Sequence, residues 1–408
     1  CYNTAKRWVT PIFMRQIRKI SGPLLAAVLL GLGACAPAAS RRVNLTLWLD
    51  TNDKEMRFFK RLAHQIEEKY PRLRLRLRFV TFDDLKPRFQ GQVGETREPD
   101  ILYMMNDWIG ELVEQNLLRP LANRPEGVVP QALTSMSYQG KLYGAPFVLQ
   151  TIGLVYNRDL VTAPPPGSDG MLALQNQPHP KDHYTLLYDQ RNFYYHAPWF
   201  HACGGQVFDA QGHLAIKPEP LLRSLSWARS LQREGVVPKG SSYSVMVNLF
   251  SAGQAALMLT GPWSIGMLEE NQLNYAVAPL PRGPCEGIPR PFIGVKGFGL
   301  NRLGAHPQEA EQVLEFLTSR EVQQQVLTEL DNLPVRADVY NQALKPAQQA
   351  FYAQLKQGVP MPNHPMMKHV WQEMNWLLGQ VFDGQPIRPK LNEALERLNR
   401  QAREHEAV

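Results

Sequence analysis

The stretch 43-VNLTLWLDTNDKEMRFFKRLAHQIEEKYPRLRLRLRF-79 decides the fold. Val43, Leu45, Leu47 and Leu49 alternate with Asn44, Thr46 and Trp48, the period-2 pattern of a strand. Met56, Phe59, Ala63, Ile66 and Tyr70 then recur at helical spacing over residues 55–70, and Pro71, which cannot continue a helix, ends it. Alternation returns over 72–79, where Leu73, Leu75, Leu77 and Phe79 interleave with Arg72, Arg74, Arg76 and Arg78. The arginine face reads as solvated strand surface rather than an anion or membrane patch, because no aromatics interleave it.

Working outward, a helix is expected around 85–93, a short strand at 100–104 and a helix at 108–117. Strand, helix, strand, helix, strand predicts an α/β domain with a parallel sheet covered on both faces. Ligands in such sheets sit beyond the C-terminal ends of the strands, here near residues 50–54 and 104–108. A break at 138–143 precedes apolar runs at 144–148 and 151–157, and the proline-rich 163–170 reads as an exposed loop. Helical spacing recurs at 220–234, and a strand at 255–260 ends in Gly261-Pro262-Trp263. The apolar run 291–300 carries Gly294, Gly297 and Gly299, which in a strand predict a bend or a hinge. The sequence has no internal repeat and no low-complexity tract.

Near the start, Leu32-Gly33-Ala34-Cys35 looks like a bacterial lipobox. Arg15, Arg18 and Lys19 form a basic segment before an apolar run at 24–34, which is far shorter than the ~20 residues of a membrane span. A signal peptide is therefore expected at 14–34, with Cys35 as the lipidated residue of the exported chain and 35–42 as a tether. Residues 1–13, which precede Met14, are expected to be a non-native or misassigned extension. The net charge of +7 includes Lys6, Arg7, Arg15, Arg18 and Lys19 of this leader; without them it is +2, which makes no electrostatic case for nucleic acid. About 370 residues remain after the leader, more than one core usually supports, so two domains are expected. Cys203 and Cys285 would then lie in an oxidising compartment, either bridged across a long loop or as buried thiols.

Several motifs occur in order: Glu98-Pro99-Asp100-Ile101, Gly144-Ala145-Pro146, Gly153-Leu154-Val155-Tyr156-Asn157-Arg158-Asp159-Leu160, Thr260-Gly261-Pro262-Trp263, Asn274-Tyr275-Ala276-Val277-Ala278-Pro279-Leu280-Pro281, and Met361-Pro362-Asn363-His364-Pro365 with Trp371. Together they resemble the signature of bacterial family 1 extracellular solute-binding proteins, the receptors of ABC importers, and are similar in order and spacing to carbohydrate receptors of the maltose-binding type. The resemblance covers 43–403. It implies a two-lobed periplasmic-binding-protein fold, α/β in each lobe, with an N-terminal lobe at 43–148 plus 295–345 and a C-terminal lobe at 152–291 plus 347–405. Hinge segments are implied near 149–151, 292–294 and 346. A monomer is expected, exported to the periplasm or the outer face of the cell membrane, with an ABC permease and its ATPase as partners.

A sugar site combines short planar hydrogen-bonding groups with aromatic platforms. Carried over by motif, Asp53, Lys54 and Asp107 would bind hydroxyls, while Tyr194, Trp263 and Trp371 would supply stacking faces. Trp108 and Gln150 stand where the family has Arg and Glu, Met104 replaces a stacking Trp, and a Glu expected near Lys86 is absent. These departures point to a disaccharide or compact glycoside, such as trehalose, sucrose or glucosylglycerol, rather than a maltodextrin, with Trp108 narrowing the cleft. Arg336 is a further candidate at the cleft edge.

Enzyme signatures are missing from the sequence: no Gly-x-Ser-x-Gly turn, no Walker-type phosphate loop and no His-Glu-x-x-His helix. His196, His201 and Cys203 lack a fourth ligand at metal spacing, so neither metal nor cofactor is expected. The competing readings are a receptor for a glycerophosphodiester or polyamine, which would need several cleft cations or carboxylates, and a secreted carbohydrate-active hydrolase, which would turn its sugar over.

Overall fold

The computed structural model describes residues 42–92, 98–178, 180, 182–240, 242–340 and 344–407. The expected leader, Cys35 and all of the tether except Arg42 lie outside the described residues. Among the described residues no helix is long and apolar enough to cross a membrane.

Among the described residues two main sheets and a two-stranded ribbon, Ser137–Tyr138 with Lys141–Leu142, organise the chain. The larger runs in the order Leu333–Pro334, Gly144–Gln150, Phe292–Asn301, Ile101–Met105, Val43–Leu49, Leu73–Phe79, and the short strands Leu118–Arg119 and Val359–Pro360 also pair with Phe292–Asn301. Val43–Leu49 pairs in parallel with Leu73–Phe79 and with Ile101–Met105, whereas Phe292–Asn301 enters antiparallel. The register Leu45↔Leu75 and Leu47↔Leu77 aligns the apolar sets of both strands, and these pack on Phe58, Phe59, Leu62 and Ile66 of the helix Asp53–Lys69. That helix starts two residues earlier than its spacing predicts because Asn52 caps it: Asn52 Oδ1 accepts from Glu55 N at 2.9 Å and Glu55 Oε2 accepts from Asn52 N at 3.2 Å. Arginines blunt the edge strand Leu73–Phe79, where Arg74 pairs with Glu67 at 2.7 Å and Arg78 lies over the Trp48 ring at 4.9 Å.

The second sheet has the order Tyr275–Ala278, Gly153–Asn157, Ala255–Thr260, Tyr184–Leu187. Helices Phe193–Ala202, Pro218–Arg233, Met367–Phe382 and Ile387–Glu406 share one apolar core with it. The protein is thus two-lobed. Between Gly144–Gln150 and Gly153–Asn157 only Thr151 and Ile152 intervene, and Phe292–Asn301 carries the chain back to the larger sheet. In the returning strand the register shifts between Lys296 and Gly297, the irregularity that its glycines predict. A Cβ on Gly297 would lie 2.3 Å from the carbonyl oxygen of Ala145, so the glycine permits close approach of the strands.

Cys203 and Cys285 form a disulfide, which ties the C-terminal end of the helix Phe193–Ala202 to the loop after Tyr275–Ala278. His196 and His201 serve the same lobe as packed groups: His196 Nε2 is 3.0 Å from Ser224 Oγ and His201 Nδ1 is 2.7 Å from Arg290 O. Burial lowers the first imidazole to about 3 and the second to about 4, keeping both neutral.

Candidate functional site

The C-terminal ends of Val43–Leu49 and Ile101–Met105 deliver two polar loops, Asp50 to Glu55 and Asn106 to Trp108, to the edge of the first lobe that meets the second. Asn106 fixes its loop: its Nδ2 donates to Met361 O at 2.8 Å and its Oδ1 accepts from Val295 N at 2.9 Å. Asp107 is thereby turned toward the second lobe, where Oδ2 accepts from the Trp371 indole Nε1 at 2.8 Å. Burial raises the Asp107 carboxyl above the ordinary range, against the lowering effects of nearby Lys86 and of this hydrogen bond.

Trp371 belongs to an aromatic group. Its ring centroid lies 5.7 Å from Phe292 and 6.0 Å from Phe193; Tyr194 stacks on Phe292 at 6.4 Å and reaches Trp263 at 6.5 Å. Trp263 Nε1 donates to Tyr243 Oη at 2.7 Å, and Asn52 Nδ2 of the first lobe donates to Trp263 O at 3.4 Å. The candidates Asp107, Tyr194, Trp263 and Trp371 are therefore together. Gln150 is buried at the end of its strand, opposite Gly294.

Polar groups that sequence reasoning missed line the same place. Lys296, only 12% exposed, places Nζ 2.7 Å from Asp50 Oδ1 and 4.3 Å above the Tyr103 ring. Glu55 lies close enough for Lys296 to lower, and Asp50 to raise, its titration, while burial as the largest effect pushes its carboxyl up. A lysine inside an apolar strand was the available signal, because a buried ammonium needs a carboxylate partner. The hydroxyls of Thr51, Thr151 and Tyr194 are buried without a hydrogen-bond partner among the described residues.

Lys54 spans the lobes. Its Nζ is 2.8 Å from buried Asp331 and 3.8 Å from Glu269 of the second lobe, and its stem passes over Gly266, where a Cβ would meet Lys54 Cδ at 2.7 Å. Lys345 closes the network on Asp331 at 2.7 Å and Glu269 at 3.2 Å, and Arg57 adds a pair with Glu270 at 2.6 Å. Asp53 is exposed in the first turn of its helix. Two candidates are not brought to the group. Trp108 is 5% exposed in the first lobe's own core, because the short 3-10 turn that aims Asp107 outward aims its neighbour inward. Arg336 is held within its own lobe by Asp338 at 2.8 Å and by Glu126 O at 2.6 Å.

Comparison with known proteins places this geometry. A family model described as bacterial extracellular solute-binding protein matches residues 61–353, well over half of the chain. The maltotriose-binding protein of Pyrococcus abyssi is 26% identical over 363 residues, spanning 83% of this chain and 77% of that protein. The galactooligosaccharide-binding protein of Bacillus subtilis is 26% identical over 406 residues, 91% of this chain and 94% of that protein. Among solved structures, the Thermus thermophilus maltotriose-binding protein bound with maltotriose superposes with a TM-score of 0.82 at 22% identity, covering 88% of this chain and 99% of that one. On the extent of the family match, and with the two-lobed fold in agreement, the chain belongs to the bacterial extracellular solute-binding proteins.

Proposed function

We propose that this chain is the lipid-anchored receptor of an ABC importer, capturing a carbohydrate between its lobes and handing it to a permease. The observation that carries this reading is the aromatic group Tyr194, Trp263 and Trp371 set among Asn52, Asp107 and hydroxyls with no hydrogen-bond partner among the described residues. Sugars carry apolar C–H faces and hydroxyls that both donate and accept, so one such ligand stacks on the rings and satisfies Thr51, Thr151 and Tyr194. The names of relatives agree in ligand class: maltotriose, galactooligosaccharide and maltodextrin are what the similar proteins are named for binding. Two of the relatives are named as solute-binding lipoproteins, which supports anchoring through Cys35 at the periplasmic or outer face of a membrane.

Within the class we favour a disaccharide or compact glycoside, such as trehalose, sucrose or glucosylglycerol. Met104, where the family carries a stacking Trp, is fully buried in the first lobe, and Gln150 replaces a charged group. Asp53, Lys54, Asp107, Gln150, Tyr194, Trp263 and Trp371 are the proposed contacts. The lobes on this reading are 43–148 plus 295–345 and 152–291 plus 347–405, with crossings near 149–151, 292–294 and 346. Ligand touching both lobes only in the closed form drives closure through its differential affinity. The receptor acts as a monomer and turns nothing over.

A thermal-shift screen of the chain from residue 36 onward tests the proposal against mono-, di- and trisaccharides, glucosylglycerol, glycerophosphocholine and spermidine. Stabilisation by a saccharide or glycoside is expected. Stabilisation by glycerophosphocholine or spermidine alone overturns the carbohydrate reading, and release of monosaccharide on incubation overturns the receptor.

A further inference from the structure

The first lobe also carries an exposed aromatic side chain that the proposed contacts do not use. Phe82 opens the helix Phe82–Gln92 and is 48% exposed. Leaving a phenyl ring half in water forgoes burial that a core position would supply, and an exposed aromatic beside a binding group marks a contact surface. Phe82 is tied to the site from beneath. Its ring lies 5.4 Å from that of Trp108, the residue after Asp107, and 6.0 Å from Lys296 Nζ. Trp108, locked in the lobe's core, is thus a rigid backing for Phe82.

The topology shows which way this surface faces. Phe82 follows the C-terminal end of Leu73–Phe79, the parallel neighbour of Val43–Leu49, and so lies on the same edge of the first lobe as the loop Asp50 to Glu55. Lys296, 6.0 Å from the ring, is paired with Asp50 of that loop at 2.7 Å. An aromatic face beside charged hydrogen-bonding groups is the chemistry that holds a sugar ring.

We infer that Phe82 forms a mouth subsite that stacks an outer ring of the ligand, beyond the portion held on Tyr194, Trp263 and Trp371. This rests on the carbohydrate reading and narrows it: the ligand is a glycoside whose far ring emerges toward the Phe82 edge, and Phe82 sets a preference for length. A monosaccharide seated on the inner rings does not touch it.

The test measures affinities by calorimetry for a series of one to four hexose rings, with the wild-type chain and the variants Phe82→Ala, Phe82→Trp and Trp371→Ala. Phe82→Ala is expected to weaken the longer ligands about three- to tenfold, the range of one aromatic stacking contact. It leaves the shortest bound ligand unchanged, and Phe82→Trp restores the longer ones. Trp371→Ala weakens every length. If Phe82→Ala binds all lengths as the wild type does, or weakens all of them equally, the mouth subsite is overturned while the carbohydrate reading stands. If the wild type binds no saccharide, both fall.

Discussion

The indole N–H of Trp371 donates to Oδ2 of Asp107 at 2.8 Å, joining residues 264 positions apart in the chain and on opposite lobes. A ligand entering here meets a stacking face and a carboxylate already oriented by each other. Truncating the ring removes the platform and leaves a buried carboxylate without its donor, so Trp371→Ala is expected to weaken saccharide binding more than tenfold, about 1.4 kcal/mol or more. Trp371→Phe keeps a platform and loses only the hydrogen bond, and should fall between. Calorimetry on both variants, with circular dichroism to establish the fold, checks this; wild-type affinity in Trp371→Ala would remove Trp371 from the site.

Local signals made much of the fold legible. The alternation of Val43 to Leu49 and Leu73 to Phe79 located two strands to within a residue, and the helix between them was read from Met56, Phe59, Ala63 and Ile66. The Asn52 and Glu55 capping pair was equally present in the sequence, and reading it would have corrected the helix start. Pairings across the lobes were not legible. Nothing near Lys54 announces Glu269, and nothing near Trp263 announces Asn52. Family motif alone put Trp108 beside its neighbour Asp107, but consecutive residues of a tight turn point apart, and Trp108 faces the core.

Lys54, Lys345, Asp331 and Glu269 form an alternating ring of charges at the junction of the lobes, with Arg57 and Glu270 beside it. These pairs join the two lobes, so they favour the arrangement in which the lobes meet. Glu269 and Glu270 are 37% and 50% exposed, which limits each pair to under about 1 kcal/mol. The double variant Glu269→Gln/Glu270→Gln is therefore expected to expand the ligand-free protein in small-angle scattering and to weaken saccharide binding about two- to fivefold. Raising the salt concentration should mimic it in the wild type. An unchanged radius of gyration would show that the pairs do not hold the lobes together.

The disulfide between Cys203 and Cys285 constrains a loop of 82 residues in the unfolded chain. Replacing both by Ser is expected to cost about 2–4 kcal/mol, read as a lower midpoint in urea. Saccharide affinity should change less than twofold, because Tyr194 is held at the other end of the helix Phe193–Ala202, where Asn192 caps it and Phe193 N donates to Asn375 Oδ1 at 2.7 Å. A large loss of affinity with an unchanged midpoint would reverse these roles.

Asp107 also makes closure depend on pH. Contact with Trp371 exists only when the lobes meet, so the second lobe adds to the burial that raises the Asp107 carboxyl, and in an open form the group is expected to titrate nearer its ordinary value. A carboxyl with a higher value in the closed form binds its proton more tightly there. Closure of the ligand-free chain is therefore most favourable below the ordinary carboxylate range and loses this contribution as pH rises through the raised value. Lys86 and Glu111 are the charged neighbours that act on Asp107, with opposite effects. Small-angle scattering of the ligand-free protein between pH 4.5 and 8 should show expansion with rising pH. Asp107→Asn, neutral throughout, should flatten most of that change and keep the Trp371 N–H paired to its amide oxygen. A profile in Asp107→Asn that matches the wild type would place the titrating group elsewhere.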